Sequence, residues 1–311
     1  MVRMRALTFH EYGPPSVLRV DEVPLPAPAG GEVRIRVAAA PAQPVDAATR
    51  AGVFAGRGPD TTGRTLGWDV AGTVDAVGDG VTGFAVGDEV VGLSDWFAPG
   101  NGAQAEYVVL PAAAVARAPA GVSAVEASTL PLNAQTASQA LDLLDLPAGA
   151  TLAVTGAAGS VGGYAVELAI HRGLRVVAIA GAADEEWLRG RGATFVRRAD
   201  AVGDAVRAVV PEGVDGFFDP AGVGAPALGA VRDGGRYVIA VGTRPPAGER
   251  GISTAVVMVH SDGAELARLA GLVESGALTL RVAGAYPLED AATVHELLAK
   301  GGVRGRLVFV P

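Results

Sequence analysis

In Glu32-Val33-Arg34-Ile35-Arg36-Val37, branched aliphatics alternate with charged side chains. That period of two predicts a strand with one buried face. Three more short apolar runs, at 70–77, 89–93 and 105–110, sit between glycine-rich turn signals, so the first third reads as a compact, irregular β domain. Near residue 122 the pattern changes. TLAVTG (151–156), LRVVAIAG (174–181), GVDGFFDPAG (213–222) and GRYVIAVG (235–242) are apolar throughout and end in small residues. Strands covered on both faces by helices have this character. Between the first two, SVGGYAVELAIHRG sets Val161, Ala165 and Leu168 on one helical face, predicting a βαβ unit. After 258 the pattern is mixed again: 264–275 predicts a helix, Asp290 is placed to cap another carrying Val294, Leu297 and Leu298 inward, and 306–310 predicts a last strand. The expected architecture is α/β, with a β-rich domain over 1–122, a doubly wound parallel-sheet domain over 123–257, and a return segment, 258–311, that completes the first.

Composition narrows the chemistry. The 311 residues are 50% hydrophobic and 19% charged, and their 44 glycines and 20 prolines follow no G-X-Y period, which excludes disordered and collagen-like classes. A formal net charge of −8 offers no basic excess for a phosphate backbone, so nucleic acid is not an expected partner. Cysteine is absent, which removes disulfides, thiolate nucleophiles, iron–sulfur clusters and cysteine-based zinc sites. The opening MVRMRALTFHEYGPP has no apolar core of a secretory signal, and apolar stretches elsewhere break well before the ~20 residues of a membrane span. The expectation is a cytoplasmic protein with no membrane partner.

The sharpest local signal is VTGAAGSVGGYAVELA, which sets Ala157, Gly159 and Gly162 at the three positions of a G-x-G-x-x-G turn after a strand and opening a helix. A pyrophosphate rests against a helix N-terminus only if no side chain blocks it. Gly159 permits that approach, Gly162 permits close helix–sheet packing, and Ser160 offers a hydroxyl; a tight turn that binds nothing has the same outline. At the end of the second strand, where NAD binders present an acid to the ribose, the chain has Ala180-Gly181. Asp184, three residues on, serves equally as a helix cap. With no anion to repel a 2′-phosphate, NADPH becomes admissible beside NADH, and Arg197 or Arg198 either pairs with that phosphate or is a solvated surface group.

Several segments together carry a family resemblance: QPVDAATRAG (43–52), GWDVAGTVDAVGDGVTGFAVGDEVVG (67–92), AQAEYVVLP (103–111), LPLNAQTASQAL (130–141), GAAGSVG (156–162), GVDGFFDPAG, GGRYVIAVGT and RGRLVFV (304–310). In order and spacing the chain resembles the medium-chain dehydrogenase/reductases, in the zinc-independent quinone oxidoreductase branch that includes zeta-crystallin. The resemblance implies a GroES-like substrate domain with a Rossmann domain, NADPH, commonly a homodimer, and hydride transfer to a quinone or to an activated alkene. It also implies Thr136 at the nicotinamide end, Gly159, Ser160, Val161 and Gly162 at the pyrophosphate, Gly181 by the adenosine ribose, and Val241, Gly242 and Thr243 beneath the nicotinamide. Zinc-dependent relatives place Cys at the position of Gln43 and His plus an acid in a G-H-E motif that here reads Gly67-Trp68-Asp69, so no zinc is expected. The four histidines, His10, His171, His260 and His295, show no ligand spacing and read as surface or lightly buried side chains.

Two departures from the family limit the carry-over. Gln43 stands where Asn is common, and Phe54 where many members have Tyr. The expected chemistry is therefore the cofactor's, with the Gln43 amide or backbone N–H groups stabilising the enolate or hydroquinone oxygen and solvent supplying the proton. Phe54, Trp68 and Trp96 fit either the walls of a flat pocket for a small planar, electron-poor acceptor or ordinary core packing. Two alternatives stay open: an enoyl reductase tailoring a polyketide-like intermediate, and a dinucleotide-binding protein with a structural or regulatory role. The apolar run 255–259 is expected at an outer sheet edge, available to pair with a second copy or to be covered by a loop.

Overall fold

The computed structural model describes residues 2–56, 62–95, 102–240 and 244–311, so Trp96, Val241, Gly242 and Thr243 lie outside the described residues. The chain forms two compact units: Met1–Leu132 with His260–Gly276 and Leu280–Pro311, and Asn133–Val259 with Ala277–Thr279.

In the first unit the alternating run at 32–37 is part of a longer strand. The elements are β1 (Arg3–Phe9), β2 (Leu18–Pro24), β3 (Glu32–Pro41), helix α1 (Pro44–Arg50), β4 (Asp69–Val77), β5 (Glu89–Leu93), β6 (Tyr107–Pro111), β7 (Val115–Arg117) and the short α2 (Ala124–Ala127). β1 and β2 make an antiparallel ribbon. β3 is the hub: it pairs antiparallel with β4 and with β6, and β4 pairs in turn with β5. Val33, Ile35 and Val37 point inward with Val70, Val74, Val90, Val108 and Leu110, as the period of two requires. Gly72 is forced by that packing, because a Cβ there would lie 2.1 Å from the Arg36 carbonyl oxygen on β3. Ser123 caps α2 and Glu126 returns the bond to the Ser123 N–H, a capping box.

The second unit takes most of α3 (Pro131–Leu144) and continues with β8 (Thr151–Thr155), α4 (Ser160–His171), β9 (Arg175–Ala180), α5 (Glu185–Arg189), β10 (Thr194–Arg197), α6 (Val202–Arg207), β11 (Val214–Asp219), β12 (Val231–Ile239) and β13 (Ser253–Val256). Among the described residues the strands lie in the order β10-β9-β8-β11-β12-β13, every pair parallel. This is the doubly wound order, with the reversal of direction between β8 and β11. β8 is buried on both faces and β9 is buried from Val176 onward, which explains their unbroken apolar runs. α4 is enclosed more widely than one helical stripe suggests: Gly162 through Ala169 are all buried, whereas Val161 is only half-buried. Gly173, at φ +78°, ends that turn of chain and sends Arg175 into β9.

The chain then returns to the first unit with α7 (Gly263–Glu274), β14 (Val282–Tyr286), α8 (Ala291–Lys300) and β15 (Arg306–Phe309). β15 pairs antiparallel with the end of β3 and parallel with β14, so the last strand closes onto the hub of the first unit. Asp262 caps α7 through the Ala264 and Glu265 N–H groups, but Asp290 makes no side-chain cap at the start of α8. His295, expected near the surface, is instead fully buried on α8, because it occupies the inner face beside Val294 and Ala291. No described helix is long and apolar enough to cross a membrane.

Candidate active site

In the second unit, β8 runs into the turn Gly156-Ala157-Ala158-Gly159 and then into α4, whose N-cap is Gly159 in an extended conformation with no side-chain cap. The turn is tight: the Gly159 N–H donates to the Gly156 carbonyl at 2.8 Å, and the Ala157 N–H donates to Ile179 of β9 at 3.2 Å. The two glycines have different tasks. A Cβ on Gly162 would lie 2.1 Å from the Gly156 oxygen and 3.0 Å from the Ala157 Cα, so this position holds the helix against its own turn. A Cβ on Gly159 would come no nearer than 3.1 Å to the same oxygen, so its bareness leaves the face of the turn open. At the N-cap of this twelve-residue helix, Gly159 puts no side chain of its own in front of an approaching anion. These residues fit a dinucleotide pyrophosphate.

The next strand carries the residues that the sequence placed beside a ribose. β9 ends at Ala180, and Gly181 follows with no carboxylate of its own; Asp184 lies such that a Cβ on Gly181 would be 3.5 Å from its Oδ2. Arg197 pairs with Ala180 across the parallel strands, and the Arg198 N–H donates to the Ala180 carbonyl at 2.8 Å. Arg198 is thereby brought to the carboxyl end of β9 with an exposed side chain, while Arg197 is the last residue of β10. Thr136 lies buried within α3 of the same unit.

In the first unit the residues singled out by sequence sit in a buried polar network. Gln43 precedes α1 and is fully buried, and its Nε2 donates to Asp69 Oδ2 at 2.7 Å. Asp69 Oδ1 accepts from the Leu132 N–H at 2.5 Å. Asp46, in the first turn of α1, accepts from the Gln43 N–H at 2.8 Å and from Gln104 Nε2 at 2.9 Å. Burial raises Asp46 to about 7, and its proximity to Asp69 adds to the rise. Burial likewise raises Asp69 to about 6, opposed by its hydrogen bonds and by the charge of Arg306. In this structure one of the two Gln43 amide N–H groups is taken by Asp69, and the side chain is enclosed. Trp68 is buried and Phe54 half-buried in the turn after α1.

The donor chemistry of these residues bears on zinc. The chain has no cysteine, Gln43 and Trp68 occupy two of the ligand positions, and Asp69 already takes two hydrogen bonds. His10 is bound to Asp21 at 2.6 Å, and His295 is enclosed on α8. Among the described residues no His, Asp and Glu group has metal-site geometry. These residues do not fit a catalytic zinc.

Comparison with known proteins now bears on this geometry. The model for the alcohol dehydrogenase GroES-like domain matches residues 29–120, and the zinc-binding dehydrogenase model matches 191–309. A 2-methylene-furan-3-one reductase of Solanum lycopersicum is 30% identical over 99% of this chain and 79% of its own length. The chain is a medium-chain dehydrogenase/reductase. An Arabidopsis thaliana protein named NADPH-dependent alkenal/one oxidoreductase is also 30% identical, over 99% of this chain and 80% of its own. The solved structure of a quinone oxidoreductase from Coxiella burnetii superposes with a TM-score of 0.87 at 28% identity, covering both chains completely. The fold expected from sequence, GroES-like plus doubly wound, is the one observed. Sequence reasoning missed the Asp46–Gln104 and Asp219–Tyr237 pairs. The first had a signal, since Asp46 stands three residues after Gln43 at a Pro-led helix start; the second had none beyond an acid at a strand end.

Proposed function

We propose that this chain is a zinc-independent, NADPH-dependent reductase that transfers hydride to a quinone or an α,β-unsaturated carbonyl compound. The observation that carries the reading is the open glycine turn at 156–162, together with Arg198, whose backbone N–H is bonded to the last residue of β9. Gly159 and Gly162 give the pyrophosphate access to the α4 amides, Ser160 and Val161 line the first turn, and Arg198 pairs with the 2′-phosphate beside Gly181. Arg198 also suits NADPH over NADH for a simple reason: a guanidinium gains a charge-assisted bond only when that phosphate is present.

When bound, the nicotinamide supplies hydride to the electron-poor carbon. The protein's part is position and polarity. The network Gln43–Asp69–Leu132 N–H and Asp46–Gln104 fixes the segment before α1, and the apolar walls include Phe54 and Trp68. Solvent supplies the proton to the reduced substrate's oxygen. The names of the relatives in tomato, Arabidopsis and Coxiella support this class of acceptor. We also infer a homodimer, because β13 is an edge strand of the parallel sheet and Met258, just beyond it, is 74% exposed.

The test is loss of NADPH absorbance with a panel of quinones and enones, before and after exhaustive treatment with a chelator. The reading expects turnover on at least one acceptor, unchanged by chelation. No turnover on any acceptor, or activity restored only by zinc, would overturn it.

A further inference from the structure

Asp219 ends β11 with a carboxylate that no solvent reaches, and three donors converge on it. Thr155 Oγ1 donates to Oδ1 at 2.5 Å, Tyr237 Oη donates to Oδ2 at 2.6 Å, and the Gly224 N–H donates to Oδ2 at 2.8 Å. Burial and then the neighbouring Asp219 push the Tyr237 hydroxyl up, so it stays a donor. The strand packing has no need of this charge. Phe217 and Tyr237 already stack 5.7 Å apart within an apolar cluster that includes Ala153, Ile179, Val214 and Val231. An enclosed carboxylate costs desolvation, and its hydrogen bonds act where they fix a geometry.

What they fix is a pair of loops. Thr155 is the last residue of β8 and directly precedes the glycine turn, and its Oγ1 also accepts from the Ala221 N–H at 3.3 Å. Ala221 and Gly224 belong to the loop that follows β11. The two loops touch closely: Gly156, at φ +54°, leaves room where a Cβ would lie 3.4 Å from the Ala221 methyl. β8 and β11 are the adjacent parallel strands that flank the reversal in sheet order, where doubly wound proteins receive a dinucleotide.

We propose that Asp219 is a positioning residue for the cofactor: through Thr155 it sets the spacing between the glycine turn 156–162 and the loop 220–224, so that both loops meet the dinucleotide in one register. The proposal rests on the reading that this unit binds NADPH. Its working element is the Thr155 hydroxyl, which joins the buried carboxylate to both loops. Removing that hydroxyl frees the loops without emptying the core.

The experiment compares Thr155→Val, Thr155→Ser, Asp219→Asn and Val231→Ala in the full chain, with NADPH affinity read by fluorescence titration and Tm read by circular dichroism. Val231 is a buried member of the same apolar cluster with no polar side-chain atom, paired with Val214 at the opposite end of β11 from Asp219, and its truncation measures what lost stability alone does. The expected result is a Kd for NADPH raised about tenfold in Thr155→Val and Asp219→Asn, the loss that follows one charge-assisted hydrogen bond. Thr155→Ser keeps the hydroxyl and stays within twofold of wild type, and Val231→Ala lowers Tm while Kd stays within twofold. A Thr155→Val Kd within twofold of wild type overturns the proposal, as does a Val231→Ala Kd raised as much as that of Thr155→Val. Should Asp219→Asn fail to fold, the Thr155 pair decides alone. If wild type itself does not bind NADPH, the cofactor reading fails and takes this role with it; if wild type binds and Thr155→Val is unchanged, only the positioning role is lost.

Discussion

Alanine at Gly159 and at Gly162 separates what binds a dinucleotide from what merely folds. At Gly162 the added methyl carbon would sit 2.1 Å from the Gly156 oxygen, 2.7 Å from the Gly156 carbonyl carbon and 3.0 Å from the Ala157 Cα. All three are backbone atoms, so relief requires α4 to move away from its turn. Overpacking of this kind costs about 1–3 kcal/mol, which lowers the Tm of a unit of this size by several degrees. At Gly159 the added carbon meets only the Gly156 oxygen, at 3.1 Å, and the extended backbone (φ −76°, ψ 178°) suits alanine. The intrinsic cost there is about 1 kcal/mol or less, the difference between glycine and alanine at an N-cap. In the presence of cofactor the order reverses: the Gly159→Ala methyl stands on the face the pyrophosphate approaches, and NADPH affinity falls by tenfold or more. The assay is a thermal melt of each variant with and without saturating NADPH. Gly159→Ala is expected to lower the apo Tm by no more than a few degrees and to lose the cofactor-induced rise, whereas Gly162→Ala loses more apo stability. A Gly159→Ala variant that is stabilised by NADPH as strongly as wild type would refute the reasoning.

Replacing Arg198 with Ala should raise the Kd for NADPH roughly tenfold, about the worth of one charged hydrogen bond, and leave the Kd for NADH unchanged; equal losses for both nucleotides would remove Arg198 from the ribose site. His295 is held near 4 by burial and then by Arg50, with both ring nitrogens lacking a hydrogen-bond partner among the described residues. Its folded value lies below the ordinary ~6.5, so the unfolded chain takes up the proton first and stability is lost as pH falls from about 6.5 through 4. Relative to His295→Leu, wild type should lose about 3 kcal/mol across that window, checked by urea unfolding at a series of pH values; parallel curves would show that His295 titrates normally. Asp46 acts with the opposite sign, because its folded value is raised to about 7: the stability it contributes is present at acid pH and lost as pH rises from about 4 through 7. Asp46→Asn should flatten that decline, and an unaltered pH profile would contradict the burial assigned to the carboxyl. Light scattering at micromolar concentration should give twice the chain mass, and a monomer would reject pairing through β13.

Much of the fold was legible because its determinants are local. The alternation at 32–37 and the all-apolar runs at 151–156 and 174–181 each report how many faces of a strand are covered, and that is enough to tell the β-rich unit from the doubly wound one. The glycine turn was legible for the same reason, since the steric demand at Gly162 involves atoms only five or six residues away. What escaped notice depends on partners distant in sequence. Nothing near Gln43 announces that its amide will be taken by Asp69, 26 positions on, and enclosed. Tyr237 and Asp219 meet because β11 and β12 are neighbours in the sheet, a fact no periodicity encodes. His295 was misjudged because helical spacing alone does not say which face of α8 is covered.

The claim at the centre is that hydride passes from NADPH to an electron-poor carbon on this protein without metal. The most direct measurement supplies NADPH dideuterated at the nicotinamide C4, with an α,β-unsaturated ketone and chelator present, and locates the label in the product by mass spectrometry and NMR. One deuterium at the β-carbon, with none from solvent at that position, is the predicted result. A product without the label at the β-carbon, or a panel of quinones and enones all returned unchanged, would contradict the account.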